Sequence, residues 1–363
     1  MAISVLDRLT EGVKGIPSFD WHLEKKGKPR IVWSPNRAAR EVQNRLRCLI
    51  KSSLEKYDLS IGNQVYGSTE GCSYVENGIS HDKNRFFYQL DLESAYPTVN
   101  PHMAAKAFCY FFNGLRDRER EVSAFLSRYC FLSPEMIQAC RDQGVKIDST
   151  GLMAKEIGGL ITGGPVAPLL FDLTLSVLID MPIIRLLNNY FDGQKDAWYY
   201  TRYIDDIVLS FKSHRIANDH ELRRKIRQII LNAGFGISHH KSRLLDIKKG
   251  AIPITGVNLV LGPKGVYCKL SRSYLEEIRD FFYEAAKPDS NVTLEQVAGK
   301  WGAFYACLRH RSIVTSSLED EIIVLYHACR ARLGAKDKLG GRRLQKRRRK
   351  PKASLQPEIT IDP

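Results

Sequence analysis

The chain lacks the cysteine spacing and the long apolar segments that mark several classes of protein. Its eight cysteines show no paired C-x-x-C spacing, which disfavours a metal clip or disulfide framework and favours reduced, mostly buried thiols. No window offers the uninterrupted apolar run that a transmembrane helix needs. Residues 1–15 carry scattered charges and no signal-peptide core. These absences predict a cytoplasmic protein without a membrane partner.

Acidic residues are also in short supply. There are 40 Asp and Glu against 55 Lys and Arg, giving a net charge of +15 over 363 residues. The last thirty residues, 334–363, contain ten basic and three acidic residues, or +7, and are expected to be flexible alone. This balance predicts a polyanionic partner, foremost a nucleic acid. Arg347 and Arg348 are candidate RNA contacts in the tail, against the alternatives of a solvated tail or a localisation signal.

One segment combines strand-forming residues with adjacent acids. Two β-rich arms, 198–204 and 207–211, flank Asp205 and Asp206, which predicts a β-hairpin with both carboxylates at its tip. Like charges at close range disfavour joint ionisation, and a divalent cation would relieve that cost. Mg²⁺ prefers a few carboxylate oxygens plus substrate phosphates. The alternative is an ordinary solvated turn.

A third carboxylate closes another predicted strand. The run 86–92 is apolar and contains Asp91 at its C-terminal edge. Beside the hairpin it would add a third oxygen donor. Predicted helices cover 37–54, roughly 101–142, a stretch after Pro168 and 218–232, and the chain past 262 is predicted to be all-helical. The expected fold class is therefore α+β.

Several motifs in order resemble those of reverse transcriptases. They are Asp91 to Val99, Leu160 to Pro168, Tyr203 to Asp206, and Lys241 after Gly234-Phe235. The resemblance spans about 28–300 and implies a right-hand polymerase fold, with fingers, a ferredoxin-like palm with an antiparallel sheet, and a helical thumb. The implied divisions are 1–85 (N-terminal segment and fingers), 86–100 (palm), 101–158 (helical insertion), 159–262 (palm), 263–333 (thumb) and 334–363 (tail).

The resemblance also implies roles for individual residues. Asp91, Asp205, Asp206 and the backbone carbonyl of Leu92 would hold two Mg²⁺ ions, with Mn²⁺ as an alternative. The implied nucleotide-binding residues are Lys28, Arg30, Tyr96, Gly163, Gly164 and Lys241. Among these, Tyr96 would act as a steric gate against a 2′-hydroxyl. The alternatives are a core aromatic for Tyr96, a solvated basic loop for Lys28 and Arg30, a surface lysine for Lys241, and an ordinary turn for the glycines.

The chain departs from the family pattern at Thr162, Ala167 and Ser94, which concern nucleotide and template positioning. Two short elements, 77–81 and 254–257, resemble elements of retron-type and defence-associated bacterial enzymes. This branch implies a structured RNA template, an RNA–DNA product duplex, deoxynucleotides and an effector protein as partners. The candidate RNA-binding residues in the body are Asn77, His81, Thr255, Gly256, Tyr267, Lys269, Arg272 and Tyr274. For His81 the alternative is a satisfied loop histidine, and for Thr255-Gly256 a strand-ending turn.

Three other functions stay open on sequence grounds. A defence polymerase using an unusual template or none is mildly favoured by Thr162 and Ala167. A nucleic-acid-binding protein with a vestigial polymerase site is disfavoured by the three retained carboxylates and Tyr96. RNA-dependent RNA synthesis is disfavoured by the Tyr96 gate.

Overall fold

A computed structural model of the chain describes residues 5–24, 30–56, 64–67, 73–112, 115–142, 159–194, 196–263, 265–309 and 315–334. The chain divides into two compact units, with the boundary between Ser271 and Arg272. This boundary lies nine residues beyond the palm–thumb division predicted at 262/263. The first unit mixes helices and antiparallel sheets, and the described part of the second is helical.

An antiparallel five-stranded sheet forms the centre of the first unit. Its strands are β3 (Phe86–Glu93), β4 (Trp198–Tyr203), β5 (Asp206–Phe211), β6 (Gly236–Ile237) and β7 (Arg243–Asp246). The order is β4-β5-β3, and both β6 and β7 pair with the other edge of β3. Since side chains alternate along a strand, Tyr88, Leu90 and Leu92 point to one face of the sheet, and Phe87, Gln89 and Asp91 to the other.

Helices cover the Tyr88 face of this sheet. They are α5 (Pro101–Phe111), α8 (Ala167–Leu175), a π-helical turn (Ser176–Asp180), α9 (Met181–Tyr190) and α11 (His220–Asn232). Their apolar residues form one core with the sheet, to which Phe108, Leu173, Ile226 and Ile230 contribute. The helical blocks predicted at 101–142 and after Pro168 are therefore present.

One helical segment in the described part of the chain, Ala167–Tyr190, is long and apolar enough to cross a membrane by length and composition. The expectation that no window is apolar enough to span a membrane is therefore wrong by this criterion. Sixty-one per cent of its most apolar stretch is buried inside the protein. Two of its acids, Asp172 and Asp180, are buried and ion-paired. These contacts are those of a core helix.

The remaining helices of the first unit lie around this core or near the N-terminus. They are α1 (Val5–Thr10), α2 (Arg37–Lys56), α3 (Tyr74–Ile79), α4 (Ala95–Thr98), α6 (Glu119–Cys130), α7 (Pro134–Asp142) and α10 (His214–Ala217). Helix α2 confirms the helix predicted at 37–54. Val42, Leu46 and Ile50 form its buried stripe, at the spacing of one helical face.

Two smaller sheets complete the first unit. Strands β1 (Phe19–Glu24) and β2 (Arg30–Pro35) form an antiparallel pair. Strands β8 (Ile252–Ile254), β9 (Val257–Gly262) and β10 (Gly265–Leu270) form a three-stranded sheet. The prediction that the chain becomes all-helical past 262 is wrong at β10, whose six residues pair in register with β9.

The second unit contains α12 (Arg272–Ala286), α13 (Leu294–Leu308) and α14 (Ser317–Arg332). Capping boxes begin α13 at Thr293 and α14 at Ser316, which satisfies amide groups at the starts of both helices. Trp301 stacks on Tyr326 with ring centroids 3.8 Å apart. Phe282 and Phe304 are fully buried, so these helices pack through an aromatic core.

Candidate active site

Two acidic residues face each other on neighbouring strands of the central sheet. Asp91 on β3 pairs directly with Asp206 on β5. In the neighbouring pair, Leu92 with Asp205, the Leu92 amide donates a hydrogen bond of 3.1 Å to the Asp205 carbonyl. In an antiparallel ladder this makes Asp91–Asp206 a non-hydrogen-bonded pair, whose side chains lie closest together. The sheet register therefore brings both carboxylates to one face at one edge.

The hairpin turn lies one residue earlier than predicted. Tyr203 pairs with Asp206, so the two turn residues are Ile204 and Asp205, and Asp206 is the first residue of β5. Ile204 adopts a φ of +57°, which is strained for a β-branched residue. The predicted Asp205–Asp206 tip is thus wrong by one residue. The shift places Asp206, rather than Asp205, opposite Asp91.

The surroundings of Asp206 disfavour its charged form. Burial, together with the carboxylates of Asp205 and Asp91, raises the pKa of Asp206 to about 6. Lys241, in the turn between β6 and β7, donates from Nζ to Asp91 Oδ1 at 2.7 Å. This bond, opposed by partial desolvation, raises the pKa of Lys241. One exposed ammonium therefore offsets part of the negative charge of three carboxylates.

The carboxylates fit an open cation site. Among the described residues no group of three His, Cys, Asp or Glu side chains could by itself enclose a metal ion. Mg²⁺ does not require such an enclosure, because it binds through one or two carboxylates and completes its shell with water and substrate phosphates. The raised pKa of Asp206 is the effect that a cation at this edge would reverse. Asp91, Asp206 and Asp205 are the residues that would hold it, and the Leu92 carbonyl stays a prediction.

A small cavity of about 130 Å³ adjoins these side chains. Asp91, Asp206, Lys241 and Arg243 line it together with Thr255. Whole ligands usually occupy 300–1,000 Å³, so this cavity admits an ion and phosphate oxygens rather than a complete nucleotide. The β8–β9 hairpin forms its far wall through Pro253, whose carbonyl accepts from Gln89 Nε2 at 2.5 Å.

Sequence reasoning missed a buried ionic cluster behind the hairpin. Arg202 on β4 is fully buried. It bonds Asp172 at 2.8 Å and Asp180 at 2.9 Å, and its Nη1 also donates to the Ile204 carbonyl at 2.9 Å. Burial alone would lower the pKa of Arg202, but Asp180 and Asp172 outweigh it and the net shift is upward. The strained turn residue is therefore held by an arginine that is itself held by two carboxylates.

The π-helical turn helps to place both acids on Arg202. In an uninterrupted α-helix, residues eight apart are about 80° out of line around the axis. The wider turn at Ser176–Asp180 absorbs part of that offset, as π-bulges near functional sites often do. Two acids within an otherwise apolar helix, Asp172 and Asp180, were the sequence signal that could have revealed the cluster.

Tyr96 is half-buried against helix α8. Its ring stacks on Phe171, with centroids 4.3 Å apart and planes 4° apart. Burial, Asp172 and Asp205 raise the pKa of its hydroxyl, which places the ring near the hairpin turn. Stacking fixes the ring orientation, as a steric gate requires. The gate role itself stays a prediction.

The two glycines of the 163–164 turn serve the fold. Gly163 has a φ of +102°, and a Cβ there would lie 2.6 Å from the Trp33 carbonyl oxygen. A Cβ on Gly164 would lie 2.4 Å from Gln43 Oε1. Gly164 is buried, and its nucleotide contact stays a prediction. Gly163 is exposed, and its nucleotide contact stays a prediction.

The elements 77–81 and 254–257 lie together inside the protein. Asn77 and His81 are fully buried. The His81 ring nitrogens bond Ser210 at 2.7 Å and Thr201 at 2.8 Å, and burial lowers the pKa of His81 to about 3. Asn77 donates to Thr255 Oγ1 at 3.1 Å. The prediction that Asn77 and His81 contact RNA is therefore wrong, because both side chains are enclosed by protein.

Other predicted contacts are distributed between the two units. Gly256 is exposed in the β8–β9 turn, and Thr255 beside it is half-buried. Tyr267 and Lys269 lie on β10 of the first unit rather than in the thumb. In the second unit, Arg272 is exposed and pairs with Glu276 at 3.0 Å, and Lys300 lies 5.2 Å from the centre of the Tyr274 ring. Their RNA contacts stay predictions.

Four predicted residues have no described side chain. Lys28, Arg347 and Arg348 lie outside the described residues. Arg30 begins β2, where its backbone pairs with Glu24. Their roles in binding triphosphate or RNA stay predictions.

Comparisons with known proteins address the family. Residues 23–259 match the family described as reverse transcriptase (RNA-dependent DNA polymerase). A comparison with curated proteins gives no match. Similar solved structures include apo telomerase from Candida tropicalis, with 11% identity, a TM-score of 0.46, and coverage of 87% of this chain and 62% of that one. Telomerase from Candida albicans, in complex with a TWJ fragment of telomeric RNA, has 10% identity, a TM-score of 0.45, and coverage of 92% and 64%.

The chain spans less than two thirds of the length of these telomerase structures. The family match covers well over half of the chain, including strand β3 with Asp91, strand β5 with Asp206 and the turn with Asp205. It confirms the predicted α+β, right-hand polymerase fold with an antiparallel palm sheet. The protein therefore belongs to the reverse transcriptase family.

Proposed function

We propose that the protein is an RNA-directed DNA polymerase that uses two Mg²⁺ ions to copy a structured partner RNA into DNA. The observation that carries this proposal is the direct cross-strand pairing of Asp91 with Asp206, beside Asp205, in a chain of this family. Bound ions would lower the pKa of the primer 3′-hydroxyl and neutralise charge on the leaving pyrophosphate. Mn²⁺ is an alternative ion at the same oxygens.

The chain's own residues orient the reactants around this pair. Asp91 and Asp206 supply oxygens from adjacent strands, and Asp205 supplies a third from the turn. Lys241, 2.7 Å from Asp91, is placed to bind the leaving pyrophosphate or to donate a proton to it. The ring of Tyr96, fixed on Phe171, would exclude a 2′-hydroxyl and so select deoxynucleotides.

The double substitution Asp205→Asn/Asp206→Asn tests the metal assignment. It keeps the side-chain shapes but removes two charges, so deoxynucleotide incorporation on a primed RNA template should fall to background while RNA affinity stays nearly unchanged. Asp196→Asn, at an exposed acid outside the site, is the matched control and should incorporate normally. Incorporation that survives the double substitution would show that these residues do not hold the ions.

The sugar gate has its own test. Tyr96→Ala should raise the use of ribonucleotides relative to deoxynucleotides, because it removes the ring from beneath the sugar. Tyr96→Phe keeps the ring and its stacking on Phe171, and should keep the wild-type preference. An unchanged preference in the alanine variant would remove Tyr96 from the selectivity mechanism.

We further propose that the protein belongs to the retron-type or defence-associated bacterial branch, acts in the cytoplasm and works with an effector protein. The support is that the two elements typical of that branch touch each other through Asn77 and Thr255. Sequencing the nucleic acid that co-purifies with the protein tests this. One defined RNA, or an RNA–DNA conjugate, would support the branch, and recovery of no defined RNA would contradict it.

A second candidate is a defence polymerase that uses an unusual template or none. Thr162 and Ala167, which depart from the family pattern, favour it. Extension assays with and without added RNA separate the two functions. A homopolymeric or random product formed without RNA would favour untemplated synthesis, and a complementary product would favour templated synthesis.

A further inference from the structure

A basic groove lies on the face of the central sheet opposite the three carboxylates. Tyr88 and Asp91 are three residues apart on β3, so their side chains point to opposite faces. Helix α11 packs on the Tyr88 face through Leu222 and Ile226. Between α11 and strand β7 the groove has a volume of about 640 Å³. Its lining residues are Tyr88, His220, Arg223, Arg224, Arg227, Gln228, Leu231, Ser242, Arg243 and Leu244.

The charge of this groove is of one sign. Its lining contains no Asp or Glu, and three of its arginines lie on α11. The fourth, Arg243, pairs with Gln89 on β3, so its side chain points to the Asp91 face. Arg224 is paired with Glu221 at 2.8 Å, whereas Arg223 and Arg227 form no salt bridge among the described residues. They lie four residues apart on α11, where like charges destabilise a helix. An anionic ligand would reverse that repulsion.

The arginine donors are also held in place. Arg223 lies 5.9 Å from the centre of the Tyr88 ring and donates from Nη2 to the Asn218 carbonyl at 3.5 Å. The Nε atoms of Arg223 and Arg227 are buried without a hydrogen-bond partner among the described residues. Burial raises the pKa of Tyr88, and Arg227 and Arg223 act against that rise. The groove therefore presents oriented guanidinium groups beside an aromatic ring.

We propose that this groove binds the phosphodiester backbone of the partner RNA, outside the copying site. Guanidinium groups bind phosphate oxygens through charge-assisted, often bidentate hydrogen bonds. Three arginines on one helix, Arg223, Arg224 and Arg227, suit successive phosphates of a strand rather than one small anion. The proposal rests on the proposed function only in taking RNA as the partner.

The test uses the full chain and the salt dependence of RNA binding. The probe is a synthetic RNA hairpin with a single-stranded extension, without nucleotide or divalent cation, titrated over a range of KCl concentrations. Arg224→Gln/Arg227→Gln should reduce the slope of log affinity against log salt by about 1.4–1.8, which is 0.7–0.9 per lost phosphate contact. Arg223 stays in place so that its contact with Tyr88 is kept. Arg224→Lys/Arg227→Lys retains both charges and should keep most of the slope.

Arg116→Gln/Arg120→Gln is the matched control, because it removes two exposed arginines elsewhere in the first unit. An equal loss of slope in this control, or an unchanged slope in the groove variant, would overturn the proposal. The proposal would also be overturned if the groove bound small anions or acidic protein instead of RNA. In that case inorganic phosphate or an acidic peptide would bind wild type better than the groove variant, while both proteins bound RNA equally.

Polymerase activity is measured separately, so that the two proposals can fail independently. On a short primed template that ends within the copying site, the groove variant should incorporate deoxynucleotides at the wild-type rate. If wild type itself fails to extend but the groove variant loses salt slope, the groove proposal stands and the polymerase proposal fails. If wild type extends the primer but the groove variant keeps the wild-type salt slope, the polymerase proposal stands and the groove proposal fails.

Discussion

Replacing Arg202 with methionine should damage both the stability and the activity of the protein. Arg202 is fully enclosed, and its partners Asp172 and Asp180 have side chains only 1% and 3% exposed. Arg202→Met therefore leaves two carboxylates buried without a counter-charge. Breaking a buried ion pair in this way costs about 3–5 kcal/mol. Because domains are stable by only about 5–15 kcal/mol, the variant should stand close to unfolding.

Equilibrium urea unfolding, followed by tryptophan fluorescence, measures this loss. The variant should show a lower midpoint with an unchanged slope, since the surface exposed on unfolding stays the same. A loss below about 1 kcal/mol, in the range of an exposed pair, would refute the assignment of a buried pair.

A second variant separates stability from positioning. Replacing the whole cluster with apolar residues, through Arg202→Met, Asp172→Leu, Asp180→Leu and Tyr200→Phe, removes every charge of the cluster and the Tyr200 hydroxyl that bonds Asp180. Such replacements are often neutral or stabilising, so most of the stability should return. Deoxynucleotide incorporation should stay low, because the Ile204 carbonyl has still lost its donor. Full recovery of activity would show that Arg202 does not position the hairpin.

Three further predictions concern the neighbourhood of the site. His81 is buried and neutral, with a folded-state pKa of about 3. Wild type should therefore lose about 2 kcal/mol of stability between pH 7 and pH 5, because the unfolded chain binds a proton that the folded chain excludes. Urea unfolding of His81→Gln, measured at both pH values, should not show this loss. Lys241→Met should lower kcat about 10²–10⁴-fold if Lys241 protonates the leaving group. A raised KM with unchanged kcat would indicate that Lys241 only binds the pyrophosphate. Lys248→Met, at an exposed lysine in the turn after β7, is the control. Asn77→Ala should cost about 0.5–1.5 kcal/mol, the net contribution of the lost hydrogen bond to Thr255 Oγ1, because that hydroxyl keeps its bond to the Tyr74 carbonyl and Asn77 Oδ1 has no hydrogen-bond partner among the described residues. RNA affinity per folded molecule should stay unchanged, and weaker RNA binding at unchanged stability would restore Asn77 as a contact.

The acidic strands were predictable because their pattern is local. An apolar run ending at Asp91 and a β-rich segment around Asp205 and Asp206 each identify a strand without tertiary information. The hairpin tip was misplaced because Asp is a common turn residue and Ile is not. In the structure, two contacts hold Ile204 in the strained conformation. Arg202 donates a hydrogen bond to its carbonyl. The Gly67 backbone packs so closely against it that a Cβ on Gly67 would lie 2.7 Å from the Ile204 amide nitrogen.

Strand β10 was missed although its sequence contains a signal. Gly262-Pro263 and Gly265 flank a short turn between two alternating segments, which is a hairpin pattern. The pairing of β10 with β9 moves Tyr267 and Lys269 into the first unit. A domain division placed at 262/263 therefore separates β10 from the sheet that it completes.

Burial could not be predicted for the polar residues, because the elements that enclose them lie far away in the chain. Asn77 meets Thr255, 178 residues later, and His81 meets Thr201 and Ser210. A short motif matched to a family does not reveal whether its side chains face RNA or one another. In this protein they join α3 to the β8–β9 turn and to the central sheet, so their contribution to RNA binding is limited to the placement of these elements.

The β4–β5 hairpin has an acidic residue of the candidate site on one face and the arginine that holds its turn on the other. Asp206 and its partner Tyr203 point to the face that holds Asp91, while Arg202, one residue from Tyr203, points into the helices behind. Since neighbouring strand residues cannot share a face, the positioning contact had to come from the helical side. There the low dielectric makes an unpaired arginine costly, which requires both Asp172 and Asp180. Asp172 and Asp180 therefore neutralise the arginine that holds the strained turn at Ile204, and this turn lies beside the carboxylates of Asp91, Asp205 and Asp206.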